Sequence, residues 1–280
     1  MPVPEQHPRA GDALEARVLP AVQATRYVAP LREGGSLPGL VEADDLGIYV
    51  VKFTGAGQGV KALVAEVICA GIARALGIRT PDLVTIDLPP AIARYEADEE
   101  VQDLLNASPG VNLGVDFLPG AFGYDGSRPP PEREAADIVW LDAFTANVDR
   151  TWSNPNLLVW GGHTWAIDHG AALYFHHPWP RRAPDAARFA AQPYDATTHV
   201  LADPARLAHR SPDEWRDIHA SAHDRLAPDV LFSLVAAVPD AWLEPAEGAP
   251  SAREVREAYV AHLRARLEQP LAWLPGGGRP

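Results

Sequence analysis

The chain has one cysteine, Cys69, and only two lysines, Lys52 and Lys61, among 280 residues. A single thiol forms neither an internal disulfide nor a multi-cysteine zinc site, and it fits a reducing compartment, so a cytoplasmic location is the expectation. No stretch approaches the roughly 18 uninterrupted apolar residues of a membrane span. The opening MPVPEQHPRAGDALEARV also lacks the apolar run of a secretory leader. Positive charge is scarce too: 24 Lys and Arg against 37 Asp and Glu leave a formal charge of -13, so the average surface repels nucleic-acid phosphates and anionic headgroups. Neither nucleic acid nor a membrane is expected as the main partner. Where arginine serves as the generic surface cation, a surviving lysine points to a place that needs a compact ammonium on a flexible stem.

With 47% hydrophobic residues the chain can bury a substantial core. Its first part alternates strand-like runs with one helix. ATRYVAPL (24–31), LPGLVEA (37–43) and GIYVVKF (47–53) read as strands, separated by turn residues. Residues 60–76, VKALVAEVICAGIARAL, are apolar around most of a helical circumference, which predicts a largely buried helix stopped by Gly77. LVTIDL (83–88) and VNLGVDFL (111–118) add strands, and Leu118-Pro-Gly breaks the pattern. From Glu132 onward helices dominate, over 132–147, 212–226, 228–238 and 251–269, the last opened by a Ser251/Glu254 capping box. The expected architecture is α+β and two-lobed: a β-rich N-lobe over 13–118 and a helical C-lobe over 119–272, with loose tails at 1–12 and 273–280.

The most informative stretch is NVDRTWSNPNLLVWGGHTWAIDHG, residues 147–170. Gly161-Gly162 is a two-residue loop suited to a tight hairpin between Leu157–Trp160 and His163–Ile167. If Trp160 pairs with His163, Asn154 falls opposite His169, one step from Asp168. Asp149 lies in the loop leading in. Three oxygen-bearing side chains thereby converge on one small volume, as a hard cation such as Mg2+ held together with substrate phosphates requires. The same residue types also serve ordinary turns. Lys52 ends a strand run with apolar neighbours, and a buried ammonium is costly unless paired. Glu66 is the only acid in the long apolar helix, among Ala62, Ala70 and Ala73, whose small side chains leave room for that partner.

A strand lysine, a helix glutamate, an Asp-x-x-x-x-Asn loop and a later Asp after a strand resemble the protein-kinase-like fold. Asp149-Arg-Thr-Trp-Ser-Asn154 with Ala166-Ile-Asp-His-Gly170 is similar to HipA-type kinases and to phosphatidylinositol 3- and 4-kinases. Glu66 within LVAEVICAGIARALGIRTPD further resembles the HipA-like helix and following strand, and the likeness spans roughly residues 24–175. The resemblance implies an ATP-dependent phosphotransferase that uses Mg2+ and delivers the γ-phosphoryl group to a hydroxyl; the acidic surface and the lack of a membrane anchor make a protein Ser or Thr, rather than a lipid, the expected acceptor. It implies that Lys52 contacts the phosphates and is oriented by Glu66, that Asp149 takes the proton of the attacking hydroxyl, and that Asn154 and Asp168 hold the metal. Gly34, Gly35 and Ser36 stand where backbone N–H groups of a phosphate-covering loop would approach the nucleotide, and the same three residues equally make an ordinary flexible turn. One departure is Thr151, where related loops carry a histidine. That keeps a second reading in view: a nucleotide-binding pseudokinase acting as a regulatory or interaction module.

Two further patterns are read as ordinary surface or packing. His219 and His223 lie one helical turn apart but lack the Glu or the cysteines of a zinc site. Arg181, Arg182 and Arg188 read as a solvated coil.

Overall fold

Five strands close into a barrel in the first part of the chain. The computed structural model describes residues 18–32 and 37–275. β1 (Ala21–Pro30), β2 (Gly39–Ala43) and β3 (Ile48–Lys52) run antiparallel in sequence. β4 (Leu83–Leu88) and β5 (Gly110–Asp116) complete the order β1-β2-β3-β5-β4, and parallel pairing of β1 with β4 closes the barrel. Alternating side chains fill its interior, with Val41, Val51, Phe53, Ile86 and Leu88 at most 2% exposed. α2 (Glu99–Asn106) adds Val101 and Leu105 to the same cluster. Its Asp98 cap accepts the Glu100 and Val101 amides, and two acids occupy its first turn. These start signals stand in the sequence at 98–100, yet the expected element list leaves that segment blank.

α1 (Gly59–Ala75) follows the barrel's third strand and buries residues on every face. It packs against α3 (Glu132–Thr145) and, later in the chain, α6 (Pro228–Ala236). α4 (Ala186–Ala190), α5 (Pro212–Arg225) and α7 (Ala252–Leu267) complete the helical part, α5 and α7 each opened by a full capping box. The tail expected from residue 273 needs correction. Trp273 and Leu274 are buried, and the Trp273 indole donates to Arg266 O at 2.8 Å, because the aromatic cluster of Trp140 and Phe144 leaves a place for that ring. The 1–12 tail lies outside the described residues.

β7 (Leu157–Trp160) and β8 (His163–Ala166) form the expected hairpin, with Trp160 opposite His163 and Leu157 opposite Ala166. Gly161 and Gly162 sit at φ of 58° and 82°, the left-handed pair that a two-residue turn of this kind demands. A short strand absent from the sequence reading, β6 (Phe122–Gly123), pairs with β7 on the other side. No helix is long and apolar enough to cross a membrane among the described residues.

Candidate active site

Lys52 sits at the last position of β3, where its stem runs between barrel and helix and its side chain is 15% exposed. Its ammonium pairs closely with Glu66 Oε1 and reaches Asp168 Oδ1 at 2.8 Å. Glu66 also accepts the Gly170 amide at 3.1 Å, so α1, β3 and the segment after β8 meet at one carboxylate. The charges shape one another. Burial pushes the Glu66 carboxyl up to about 7 against the pull of Lys52, and the nearby Asp168 charge adds to the rise. Burial also resists ionisation of Asp168, but the Lys52 ammonium outweighs it and holds that carboxyl at about 2. For Lys52 itself burial disfavours the charge, and the two carboxylates reverse the effect and raise its pKa.

This pairing gives a measurable expectation. In chemical denaturation, Lys52→Ala and Glu66→Ala each destabilise, and the double variant costs about 1–3 kcal/mol less than the sum, since each single change strands a buried partner. Additive losses would place the two side chains apart.

The second half of the site is the loop from Asn147 to Asn156. Asp149 is half-buried, and its Oδ2 accepts the side-chain amide of Asn154 at 2.7 Å and that of Asn156 at 3.3 Å. Asn156 Nδ2 also lies 3.4 Å from the carbonyl oxygen of Asp168, so one side chain links the two carboxylate-bearing segments. The hairpin ladder does not continue to an Asn154–His169 pair as its register suggests. It ends with Ile167 N–H donating to Asn156 O at 3.0 Å. There Asn156 and Asp168 both turn left-handed, at φ of 47° and 52°, conformations that Asn and Asp tolerate better than other side chains. Asn154 instead turns back on Thr151, its backbone N–H donating to Thr151 O at 3.1 Å. Asp168 is thereby turned towards Lys52 with its side chain 46% exposed.

Behind this loop lies a buried network that sequence reasoning missed. Asp142 of α3 is 0% exposed, and its Oδ2 accepts Arg150 Nε at 2.6 Å and faces His199 Nε2 at 2.9 Å. Its Oδ1 accepts the Asn147 amide at 2.9 Å. Arg150 is 1% exposed and donates onward to Asn156 O, to Ile167 O at 3.2 Å and to His169 Nδ1 at 3.3 Å. Burial and the Arg150 cation hold His169 neutral, down to about 3. Only the immediate neighbourhood of Asp149 in the sequence hints at Arg150. Nothing local points to His199, which comes 57 positions after Asp142.

Of the other expected residues, Gly34, Gly35 and Ser36 lie outside the described residues. His219 packs against Trp140 and Trp273, with ring centroids 5.9 and 5.8 Å away, and burial draws its pKa down to about 4. Arg181, Arg182 and Arg188 are exposed.

The profile of the family described as HipA-like kinase matches residues 25–273, and the chain belongs to that family. Solved structures similar to it include the Helicobacter pylori proinflammatory kinase CtkA, at 13% identity and a TM-score of 0.48 over 86% of this chain and 96% of that one. Another is a Golgi casein kinase with Mn/ADP bound, at 12% identity and a TM-score of 0.43 over 91% of this chain and 74% of that one. A search of curated proteins found no match.

Proposed function

We propose that this chain is an ATP-dependent phosphotransferase that moves the γ-phosphoryl group of Mg-ATP to a hydroxyl, on a protein Ser or Thr. The observation that carries the reading is the meeting of Lys52, Glu66 and Asp168 beside a loop in which Asp149 is held by two side-chain amides. In this reading residues 13–118 form the nucleotide lobe and 119–272 the lobe that presents the hairpin and loop. The Lys52 ammonium binds phosphate oxygens, and Glu66 fixes its direction. Asp149 directs Oδ2 to the Asn154 and Asn156 amides, which leaves Oδ1 to accept the proton of the incoming hydroxyl.

The residues fit a hard cation. Asn154 spends its side-chain nitrogen on Asp149, and its side-chain oxygen Oδ1 accepts no hydrogen bond among the described residues. Asp168 keeps nearly half its side chain exposed and is ionised far below neutral pH. No cluster of three or more His, Cys, Asp or Glu forms a metal cage among the described residues. An Asn–Asp pair that relies on phosphate oxygens and water for its remaining ligands is the usual mode for Mg2+. When bound, the metal supplies charge neutralisation across the transferred phosphate. Asn154 and Asp168 are the residues that would hold it.

Thr151 favours the second reading, a pseudokinase that binds nucleotide without transfer. Among the described residues its side chain engages only Ser153, at 2.9 Å, and it supplies no imidazole to the site. Both readings share one test. Mg-ATP at about 100 times its dissociation constant is expected to stabilise the fold by roughly 2.7 kcal/mol, a melting shift of about 5–10 °C. The absence of any shift at millimolar Mg-ATP, with the protein folded, would remove both. Radiolabelled transfer to lysate proteins then separates enzyme from pseudokinase.

A further inference from the structure

His199 approaches the 149–154 loop from a segment far along the chain. Its Nδ1 lies 3.0 Å from the Leu201 N–H, so Nδ1 is an acceptor and the ring proton sits on Nε2. That proton is donated to Asp142 Oδ2 at 2.9 Å. The side chain is 1% exposed, and both nitrogens are engaged in this single tautomer. The backbone on either side is tied to the same loop: His199 bridges Thr151, and the Val200 N–H donates to Arg150 O at 3.1 Å.

From Asp142 the contacts fan out to the 147–156 loop and to the segment that leads to Asp168. Asn147 carries one branch, accepting the Asp149 N–H on its Oδ1 at 3.1 Å. Arg150 carries another, to the carbonyls of Asn156 and Ile167 that precede the hairpin and Asp168. The loop's own side chains tie it internally, Asn154 and Asn156 to Asp149 Oδ2 at 2.7 and 3.3 Å and Thr151 to Ser153 at 2.9 Å, but they bind the loop only to itself and to the start of the hairpin. What anchors the loop to α3 and to the segment before Asp168 is the Asp142 network behind it.

We propose that His199 is a positioning residue: by fixing the Asp142 carboxylate toward Arg150 and Asn147, it sets the placement of Asp149 relative to Asp168. The proposal rests on Asp149 acting as the base, and the role is one of orientation, since His199 touches neither reacting group. Two variants separate it from simple packing. A glutamine side-chain amide can donate to Asp142 from nearly the position of imidazole Nε2, whereas alanine cannot.

The experiment compares wild type, His199→Ala and His199→Gln by hydrogen exchange, Mg-ATP affinity and single-turnover ATP consumption. In His199→Ala the amides of 148–157 are expected to exchange about tenfold faster, with α5 and α7 within about twofold of wild type. Mg-ATP affinity stays within about threefold, while turnover falls roughly 10- to 100-fold, the scale of a misplaced reacting group. His199→Gln restores both loop protection and turnover to within about threefold. Wild-type loop exchange in His199→Ala, faster exchange throughout the chain, or failure of glutamine to restore the loop would each overturn the proposal. A wild type that consumes no ATP sinks the phosphotransferase reading separately, and the loop-exchange comparison still decides the role of His199.

Discussion

Asp149→Asn is expected to lower phosphoryl transfer by roughly 10²- to 10⁴-fold, the usual contribution of a positioned base, while leaving Mg-ATP affinity within a few-fold. The carboxyl Oδ2 is already spent on the Asn154 and Asn156 amides, so an asparagine preserves the shape and most of the support but removes the proton acceptor. Asp168→Asn behaves differently. Asp168 lies 2.8 Å from Lys52 and is kept ionised by it, so losing its charge removes what a cation needs, and nucleotide binding falls together with turnover. Calorimetric affinity beside single-turnover transfer distinguishes the two. Transfer at the wild-type rate in Asp149→Asn would refute the base assignment.

Asp142→Asn should cost about 3–5 kcal/mol of stability, the penalty for stranding a buried charge, and lower the melting temperature by roughly 6–20 °C. Arg150 is buried at 1% exposure with Asp142 as its carboxylate partner, and the neutral amide leaves that guanidinium uncompensated. Burial opposes ionisation of Asp142, but Arg150 and His199 outweigh it and hold its pKa well below the ordinary carboxylate range. A depressed folded pKa contributes stability that is complete above the unfolded value of about 3.9 and is lost as pH falls through the folded value. Wild type should therefore lose stability steeply in acid, and Asp142→Asn much less so below about pH 4. Urea titrations at several pH values check this. Equal acid sensitivity in both proteins would show that Asp142 carries no such linkage.

The parts of this site legible in the sequence are those fixed by one-body costs. A lysine between apolar strand residues demands an anion, and α1 offers a single acid, so Lys52 and Glu66 find each other on paper. Gly161-Gly162 dictates a hairpin register, and the register brings the end of β8 near the loop. The reading fails where the backbone leaves regular geometry. Left-handed turns at Asn156 and Asp168 stop the ladder, so the residue that bridges the two segments is Asn156, hidden in an Asn-Pro-Asn run that reads as a turn. Asp142 resembles any acid on an amphipathic helix, and His199 follows a long irregular stretch. Their meeting depends on how that stretch folds back over α3, which no local spacing records. Trp273 shows the same limit: its burial is decided by a vacancy among Trp140 and Phe144, not by its neighbours in sequence.

The ammonium of Lys52 spans Glu66 and Asp168, so on the proposed function the groups that receive the nucleotide and the metal are already bonded to each other. There a phosphate drawing Lys52 away would expose the Asp168 charge, and a cation held by Asp168 would take the place of Lys52 beside it. Each arrival thereby removes an obstacle to the other. Linkage makes this reciprocal: whatever factor the metal adds to nucleotide affinity, the nucleotide adds to metal affinity. On that function the ion pair would work as an exchange device, favouring the preassembled metal–nucleotide complex over either component alone.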